Sequence, residues 1–566
     1  MDQRHTQSPA TRDLPHSFKE LATNWLVRSK KEVTWGRQLQ EESSVETAHS
    51  TSSASLELHN GDGIDDDSNG FRKGKLASRE DQHVARKRKY QKDDKRNNYW
   101  AIVTTGAGLF SDGYVNNSIS TVNVCLSMIY KDQYKNSHAL QNVSSIAFVG
   151  TVVGQLVFGY VSDFHSRKMA MLVGTAILIV FSILGAGAWG VGTTGTNAGG
   201  LFAALTAYRF FLGIGIGSEY PAGSTAAAEA SNSLPAGKRN RWFCWFTNFM
   251  IDAGFVVSSV VPLILLKICG EKHLTPVWRI TLGLGAIPPL SLFALRFRYK
   301  EGKQYQNTRF ERSMPYWKVF KFYWFRLLVV SVIWFQYDFI TYSFSSLSSL
   351  ILDGILGDDA TLTKTFGWNI VFNLFYIPGA FLGAIFADYW GSRVTLVVGV
   401  LLQAAIAFII AGCFDRLKAH IAAFTVVFGI FSTLGEFSVG DNIGCLASKT
   451  SATPLRGQYY GIAAAIGKIG AFVGSYVFPA IIKKYGGYSD LRVPFWVSGA
   501  ICLNSGFIAL FFLPAVDQEA NLLEDEMFIE YLESTGYNVA RLGSEVNETD
   551  YEKVSITELA KDPEMT

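Results

Sequence analysis

The sequence predicts an all-α membrane protein with twelve transmembrane helices in two six-helix, pseudo-symmetric halves. Three observations lead there. Of its 566 residues, 48% are hydrophobic and only 17% charged, with 41 Phe, 24 Tyr, 13 Trp and 52 Gly; because both ends are strongly polar, the apolar residues are crowded into the middle. That middle holds twelve apolar stretches long enough for a hydrocarbon core of roughly 30 Å, which takes about 20 helical residues. Finally, a short string running from an acid to a base recurs at matching places in the two halves. This balance excludes a disordered chain, a coiled coil and an ordinary cytosolic enzyme. A net charge of +3 carries no sign of nucleic-acid binding, since the charges are segregated. The six cysteines, Cys125, Cys244, Cys269, Cys413, Cys445 and Cys502, show neither C-x-x-C nor metal spacing, so no disulfide framework and no zinc site is indicated.

Residues 1–97 read as a disordered cytosolic tail, rich in Ser, Thr, Asp, Gln and Lys and ending in a basic run over 86–96. The first residues lack the apolar core of a signal peptide, so the first span is expected to act as the targeting signal. The N-terminal half, 98–297, carries spans near 98–124, 143–161, 169–189, 200–222, 242–268 and 275–297. A basic connector follows at 298–324. The second half, 325–514, carries spans near 325–350, 365–387, 394–414, 418–447, 456–482 and 492–514. Residues 515–566 form an acidic tail that begins with Asp517, Glu519, Glu524, Asp525 and Glu526, read as a solubilising cytosolic segment.

Orientation follows from Lys and Arg. The turns after spans two (His165, Arg167, Lys168), four (Lys238, Arg239, Arg241) and ten (Lys449, Arg456) are basic, and 296–326 holds nine Lys or Arg against two Glu. The turn after span three, 190–200, has no charge, and the one after span seven, 352–364, is net acidic. By the positive-inside rule both tails and the connector face the cytoplasm. Lys131, Lys135, Lys483 and Lys484 are minor exceptions.

The recurring string reads GYVSDFHSRK at 159–168 and AIFADYWGSRV at 384–394. Each places an acid, Asp163 or Asp388, shortly before an arginine, Arg167 or Arg393, on a tight turn. A small residue there lets helices approach, and an acid with a basic pair at the membrane edge can clamp one conformation; an ordinary basic turn is the plainer alternative. The first copy, with Gly159, Asp163, Ser166, Arg167 and Lys168, resembles the signature loop of the major facilitator superfamily. That resemblance implies parallel repeats about an axis along the membrane normal. Span four, RFFLGIGIGSEYPAGS, holds Arg209, Gly213, Gly215, Gly217, Glu219, Tyr220 and Pro221 and is similar to the phosphate:proton symporter branch. So are AGLFSDGYVNNS with Asp112, WFQYDFITY with Trp334, Asp338 and Tyr342, and IAAAIGKIGAFVG with Lys468. The likeness extends over 98–514 and is closest to fungal glycerophosphoinositol permeases, through SDGYVNNS, GSEYP, KFYWFRLL, WFQYDF and SATPLRGQYYG.

The same residues carry a reading of their own. An ionisable group at mid-span costs about 2.5–3.5 kcal/mol on insertion scales, so Asp112, Glu219, Asp338 and Lys468 are each expected to face a cavity or a partner. Ion pairs that only fix packing are the alternative. A compact ammonium such as Lys468 suits a phosphate oxygen in a dry cavity. Trp334 and Tyr342 lie four residues either side of Asp338, so all three share one helix face. The resemblance implies that Asp338 and Lys468 line the substrate site. Asp112 and Glu219 are candidates for proton coupling, since a buried carboxyl can load and release a proton. Arg209 joins Asp163, Arg167, Asp388 and Arg393 in a candidate gating set.

Span ten departs from the resembled branch. Where phosphate carriers show Gly-Pro-Asn, this chain reads LGEFSVGDNIG, with Glu436, Asp441 and Asn442. Acids there repel inorganic phosphate but accept hydrogen bonds from polyol hydroxyls or attract a cationic head such as choline. Asn248 and Asp252 in span five are placed with them. No nucleophile motif or metal set accompanies the acids, so no enzyme activity and no cofactor is expected. The expectation is thus a proton-coupled symporter importing glycerophosphoinositol or glycerophosphocholine across the plasma membrane by alternating access. Its partners are then the anionic solute, protons and the bilayer, with no nucleic acid. The alternatives are an inorganic phosphate:proton symporter or a non-transporting nutrient sensor.

Overall fold

A computed structural model describes residues 17–59, 99–539 and 542, apart from 136, 233, 236, 311–313, 357–360, 486–489, 517 and 519. The basic run at 86–96, Arg312 and the end of the acidic tail lie outside the described residues, as does part of the acidic turn after span seven. Among the described residues eleven helices are long and apolar enough to cross a membrane: α2 Ala139–Phe164, α3 Arg167–Ala186, α4 Leu201–Ser231, α5 Arg239–Cys269, α6 Leu274–Phe297, α7 Tyr316–Leu356, α8 Leu362–Tyr389, α9 Ser392–Lys418, α10 Ile421–Lys449, α11 Thr453–Lys484 and α12 Arg492–Phe512. A further helix, α1, runs over 99–130 with a 3-10 turn at Ala107–Leu109. Its polar stretch SDGYVNNS dilutes the hydropathy that marks the other eleven. With α1 in place, the helices fall into the two sets of six expected from the sequence.

Close packing explains the glycines. A Cβ at Gly213 or Gly217 of α4 would strike the backbone of α2 at Ala147 and Thr151, so only glycine lets these two helices meet so closely, as small residues do in membranes. On α11, Gly467 leaves room for the Trp334 ring. One feature has no signature in the hydropathy. Spans four and ten each contain a π-helical turn, Glu219–Ser224 and Glu436–Gly440, at corresponding positions of the two halves. Such turns re-aim side chains and recur at functional sites.

The tails differ from the expectation of disorder. A helix, Phe18–His59, stands in the first, and it packs through polar rather than apolar residues four apart. The Arg28 guanidinium reaches the Phe511 and Leu513 carbonyls at 3.5 Å. Glu32 accepts from the Val516 N–H at 3.0 Å and lies 3.6 Å from Arg393. Gly36 lies against the Tyr389 carbonyl, and Gln40 donates to the Gly237 carbonyl at 2.5 Å. A stripe of Arg, Glu, Gly and Gln has no hydrophobic period, which is why the stretch read as a tail. In the second tail, Ala520–Ser534 is helical. There Asp525 accepts from the Thr453 N–H and hydroxyl at 2.6 and 2.7 Å, and Glu524 pairs with Arg326 at 2.8 Å. Of the acids read as solubilising, Glu524 and Asp525 are anchors, and Asp517 and Glu519 lie outside the described residues. The connector is shorter than 298–324, since α7 already begins at Tyr316, and Arg296, counted with its basic residues, is fully buried inside α6.

Candidate functional site

A buried cavity lies between the two halves, lined from α1, α4, α5, α7, α10 and α11. Lys468 of α11 is the only basic residue among the described residues that line it. Its ammonium stands 3.4 Å from Asp338 on α7 and 3.5 Å from Asp112 on α1. The same ammonium lies over the Tyr342 ring at 3.7 Å and the Tyr220 ring at 5.1 Å. Asp112 accepts hydrogen bonds from the Tyr220 hydroxyl, the Asn116 amide and, at 3.1 Å, the Tyr342 hydroxyl. Both acids and the lysine are essentially without solvent exposure. One cation thus sits between two carboxyls, roofed by two aromatic faces. Trp334 packs on Tyr220 and Tyr460, and it shares the face of α7 that carries Asp338 and Tyr342 into the cavity.

A second set of acids lines the same cavity. The Asn248 amide of α5 donates to Glu436 at 3.0 Å and Asp441 at 3.1 Å, and the Tyr337 hydroxyl donates to Glu436 at 2.6 Å. Glu436 opens the π-turn of α10 and Asp441 follows it, so the irregular turn is what aims both inward. Asp252, one turn beyond Asn248 on α5, is fully buried and also lines the cavity. Every residue named from the sequence for solute binding, Asp338, Lys468, Trp334, Tyr342, Asn248, Glu436 and Asp441, therefore comes to one cavity.

The two proton candidates separate. Asp112 belongs to the Lys468 cluster. Glu219 does not line the cavity; it forms a two-pronged pair with Arg296 of α6, 2.6 Å at each prong, and Thr175 takes a further Arg296 N–H at 2.6 Å. Arg209 also stands apart from the gating set. It is buried between α1 and α3, with one guanidinium nitrogen 3.5 Å from the Val115 carbonyl.

The gating candidates gather where the halves meet on the face that bears the tails. Asp163 ends α2 and accepts from the backbone N–H groups of Gly457 at 2.9 Å and Gln458 at 2.7 Å, in the first turn of α11. Arg167 reaches Glu229 of α4 at 2.8 Å, and Arg456 of α11 reaches the same carboxyl at 3.3 Å. Asp388 ends α8 and accepts from the Asn240 N–H at 3.1 Å in the first turn of α5, with the Arg241 guanidinium at 3.1 Å. Arg393 turns instead to Glu32 of the leading helix and to the Leu510 carbonyl at 2.6 Å. On the opposite face, Ser120 of α1 meets Ser348 and Ser349 of α7 at 2.9 and 2.7 Å, and the Ser345 hydroxyl donates to Asn117 at 2.9 Å. Both faces are bridged, and the cavity is closed between them.

The sequence reading assigned no site role to Tyr220, Tyr337, Asn116, Glu229 or Arg296. Tyr220 and Tyr337 each adjoin a named acid, which was the available signal. Arg296 sat in an apolar run, SLFALRF, and its intramembrane position was legible.

A buried cavity lined from both six-helix halves, with a lysine between two acids, is the arrangement of a solute carrier. A model described as sugar (and other) transporter matches residues 100–314, and one for the major facilitator superfamily matches 339–558. A Candida albicans protein named major glycerophosphoinositol permease is 51% identical, over 94% of each chain. A glycerophosphodiester transporter of the same organism is 48% identical, over 98% of this chain and 97% of its own. Its glycerophosphocholine permease is 48% identical over 96% of each. Among solved structures, a proton:xylose symporter bound to 6-bromo-6-deoxy-D-glucose superposes with a TM-score of 0.61, 17% identity, 75% of this chain and 98% of its own; this likeness concerns the fold. The chain belongs to the major facilitator superfamily, within the family of these fungal glycerophosphodiester permeases. Its relatives are permeases and transporters, not enzymes.

Proposed function

We propose that the protein is a proton-coupled symporter that imports glycerophosphodiesters across the plasma membrane, with both termini in the cytoplasm. The observation that carries this reading is Lys468 held between Asp112 and Asp338 in a closed cavity. One ammonium facing two carboxylates leaves the cluster net negative, and a phosphodiester adds a further charge. In a dry site such charges repel strongly. A proton on Asp112 removes one of them, frees Lys468 to take the phosphate, and makes anion and proton enter together. Asp338 and Lys468 then bind the phosphate, with Trp334 and Tyr342 closing over it, while Asn248, Glu436 and Asp441 meet the head group.

Asp112 carries the coupling, and Glu219, neutralised by Arg296, holds α4 to α6. The clamps of Asp163 and Asp388 close the cytoplasmic side; Arg167 joins the first to Glu229, while Arg393 holds the leading helix through Glu32. Rocking of the halves breaks these contacts and discharges the solute. Inorganic phosphate is the weaker reading, because a cavity wall of three carboxyls repels a second anion and leaves the head-group side empty. Uptake of labelled glycerophosphodiester into cells lacking their own carriers tests the proposal. Acid-stimulated accumulation that excess phosphate does not suppress supports it, and entry of phosphate alone overturns it.

A further inference from the structure

The cavity is charged unevenly. Its one basic lining residue, Lys468, is engaged by Asp112 and Asp338, and the wall formed by Asp252, Glu436 and Asp441 has no cation of its own among the described residues. Donors at that wall are few. Tyr337 is committed to Glu436, and the Asn248 amide is shared between Glu436 and Asp441. Among the described residues neither oxygen of Asp252 has a hydrogen-bond partner, although its side chain is wholly buried and lines the cavity. A buried carboxyl without a partner is unfavourable in a membrane protein, so its partner is to be sought in the loaded state.

A polyol and an ammonium answer this wall differently. Inositol hydroxyls supply donors but no charge, leaving three like groups facing one another. An alkylammonium brings the missing charge, which a cluster of buried acids favours most. Aromatic side chains are also at hand, since Phe255, Trp334, Tyr337 and Tyr460 line the same cavity and their faces attract a methylated cation.

The geometry points to Asp252, acting with Glu436 and Asp441, as the specificity-determining subsite for an alkylammonium head group, choline or ethanolamine, on the solute whose phosphate Lys468 takes. The assignment rests on the glycerophosphodiester reading above. The zwitterion matches the cavity end for end: its phosphate still brings a negative charge to the Lys468 cluster, and its ammonium separately offsets the acids around Asp252.

The test is uptake by the full chain, in cells lacking their own carriers, of labelled glycerophosphocholine, glycerophosphoethanolamine, glycerophosphoinositol and inorganic phosphate. Wild type, Asp252→Asn and Asp252→Glu are compared per molecule at the cell surface. The wild type is expected to favour the ammonium diesters over the inositol diester by about tenfold in KM, equivalent to about 1.4 kcal/mol. Asp252→Asn is expected to erase most of that ratio, and Asp252→Glu to restore it. Should the Asn variant fail to reach the surface, competition in the wild type decides: free choline inhibits uptake and free inositol does not. A wild type that prefers glycerophosphoinositol, a ratio untouched by Asp252→Asn, or inhibition by inositol rather than choline overturns the inference while leaving the diester reading intact. Entry of phosphate with neither class of diester overturns both.

Discussion

Asp163 at the end of α2 caps the first turn of α11 through the Gly457 N–H at 2.9 Å. Asp388 at the end of α8 does the same for α5 through Asn240. In each case the acid ending the second helix of one half holds the N-terminus of the fifth helix of the other. Both bonds cross between halves. A carboxylate suits unpaired N–H groups and the positive end of a helix dipole, so the two caps are matched latches on one face.

Removing a latch should favour opening on that face. Asp163→Ala is expected to speed labelling of a cysteine placed at Thr341, on the cavity wall, by a reagent supplied from the cytoplasmic side, and to reduce uptake about tenfold. The double variant with Asp388→Ala should do more than either alone. Labelling unchanged in the double variant would show that the caps do not hold the closed state.

Asp338→Asn should abolish solute accumulation with surface expression intact, because Lys468 then loses one of its two carboxyl neighbours and the site its charge balance. Lys468→Ala should do the same. Near-normal uptake by either variant sinks the assigned binding role.

The Glu219–Arg296 pair answers a different question. Breaking a buried pair by removing one partner costs about 3–5 kcal/mol. Glu219→Gln is therefore expected to lower the yield of folded protein and its thermal stability, with partial recovery in Glu219→Gln/Arg296→Gln. If Glu219→Gln folds normally but loses acid stimulation, coupling belongs to Glu219 and not to Asp112.

Glu32 gives the leading helix a dependence on pH. Burial pushes its carboxyl up to about 7, against the pull of Arg393. A carboxyl raised on docking binds more protons docked than free, so docking is strongest below the ordinary carboxylate range and weakens as pH rises through about 7. Hydrogen exchange at residues 28–40 should be less protected at pH 8 than at pH 5, after correction for intrinsic rates, and Glu32→Gln should remove the difference. Equal protection in wild type at both pH values contradicts the account.

The two-by-six architecture was legible because span length and charge segregation are set by the bilayer itself. The residues of the cavity were legible for a related reason: an ionisable group at mid-span, such as Asp338 or Lys468, is costly enough to require an explanation. What escaped was irregular or polar. The π-turn that aims Glu436 and Asp441 inward follows from no periodicity. The Arg28, Glu32, Gly36 and Gln40 stripe carries no apolar side chain. Glu219 met the same criterion as Asp112, and only the position of Arg296 in space distinguishes a closed ion pair from a titrating group.

In the proposed cycle a glycerophosphodiester and a proton enter together through the Asp112–Lys468–Asp338 cluster. The most direct measurement is uptake of labelled glycerophosphodiester by wild type and Asp112→Asn, in cells lacking their own carriers, at acidic and neutral external pH. The account predicts wild-type uptake that rises with acidity and persists in excess phosphate, and Asp112→Asn transport without acid stimulation. Uptake that ignores pH in the wild type, or acid stimulation that survives in Asp112→Asn, would contradict it.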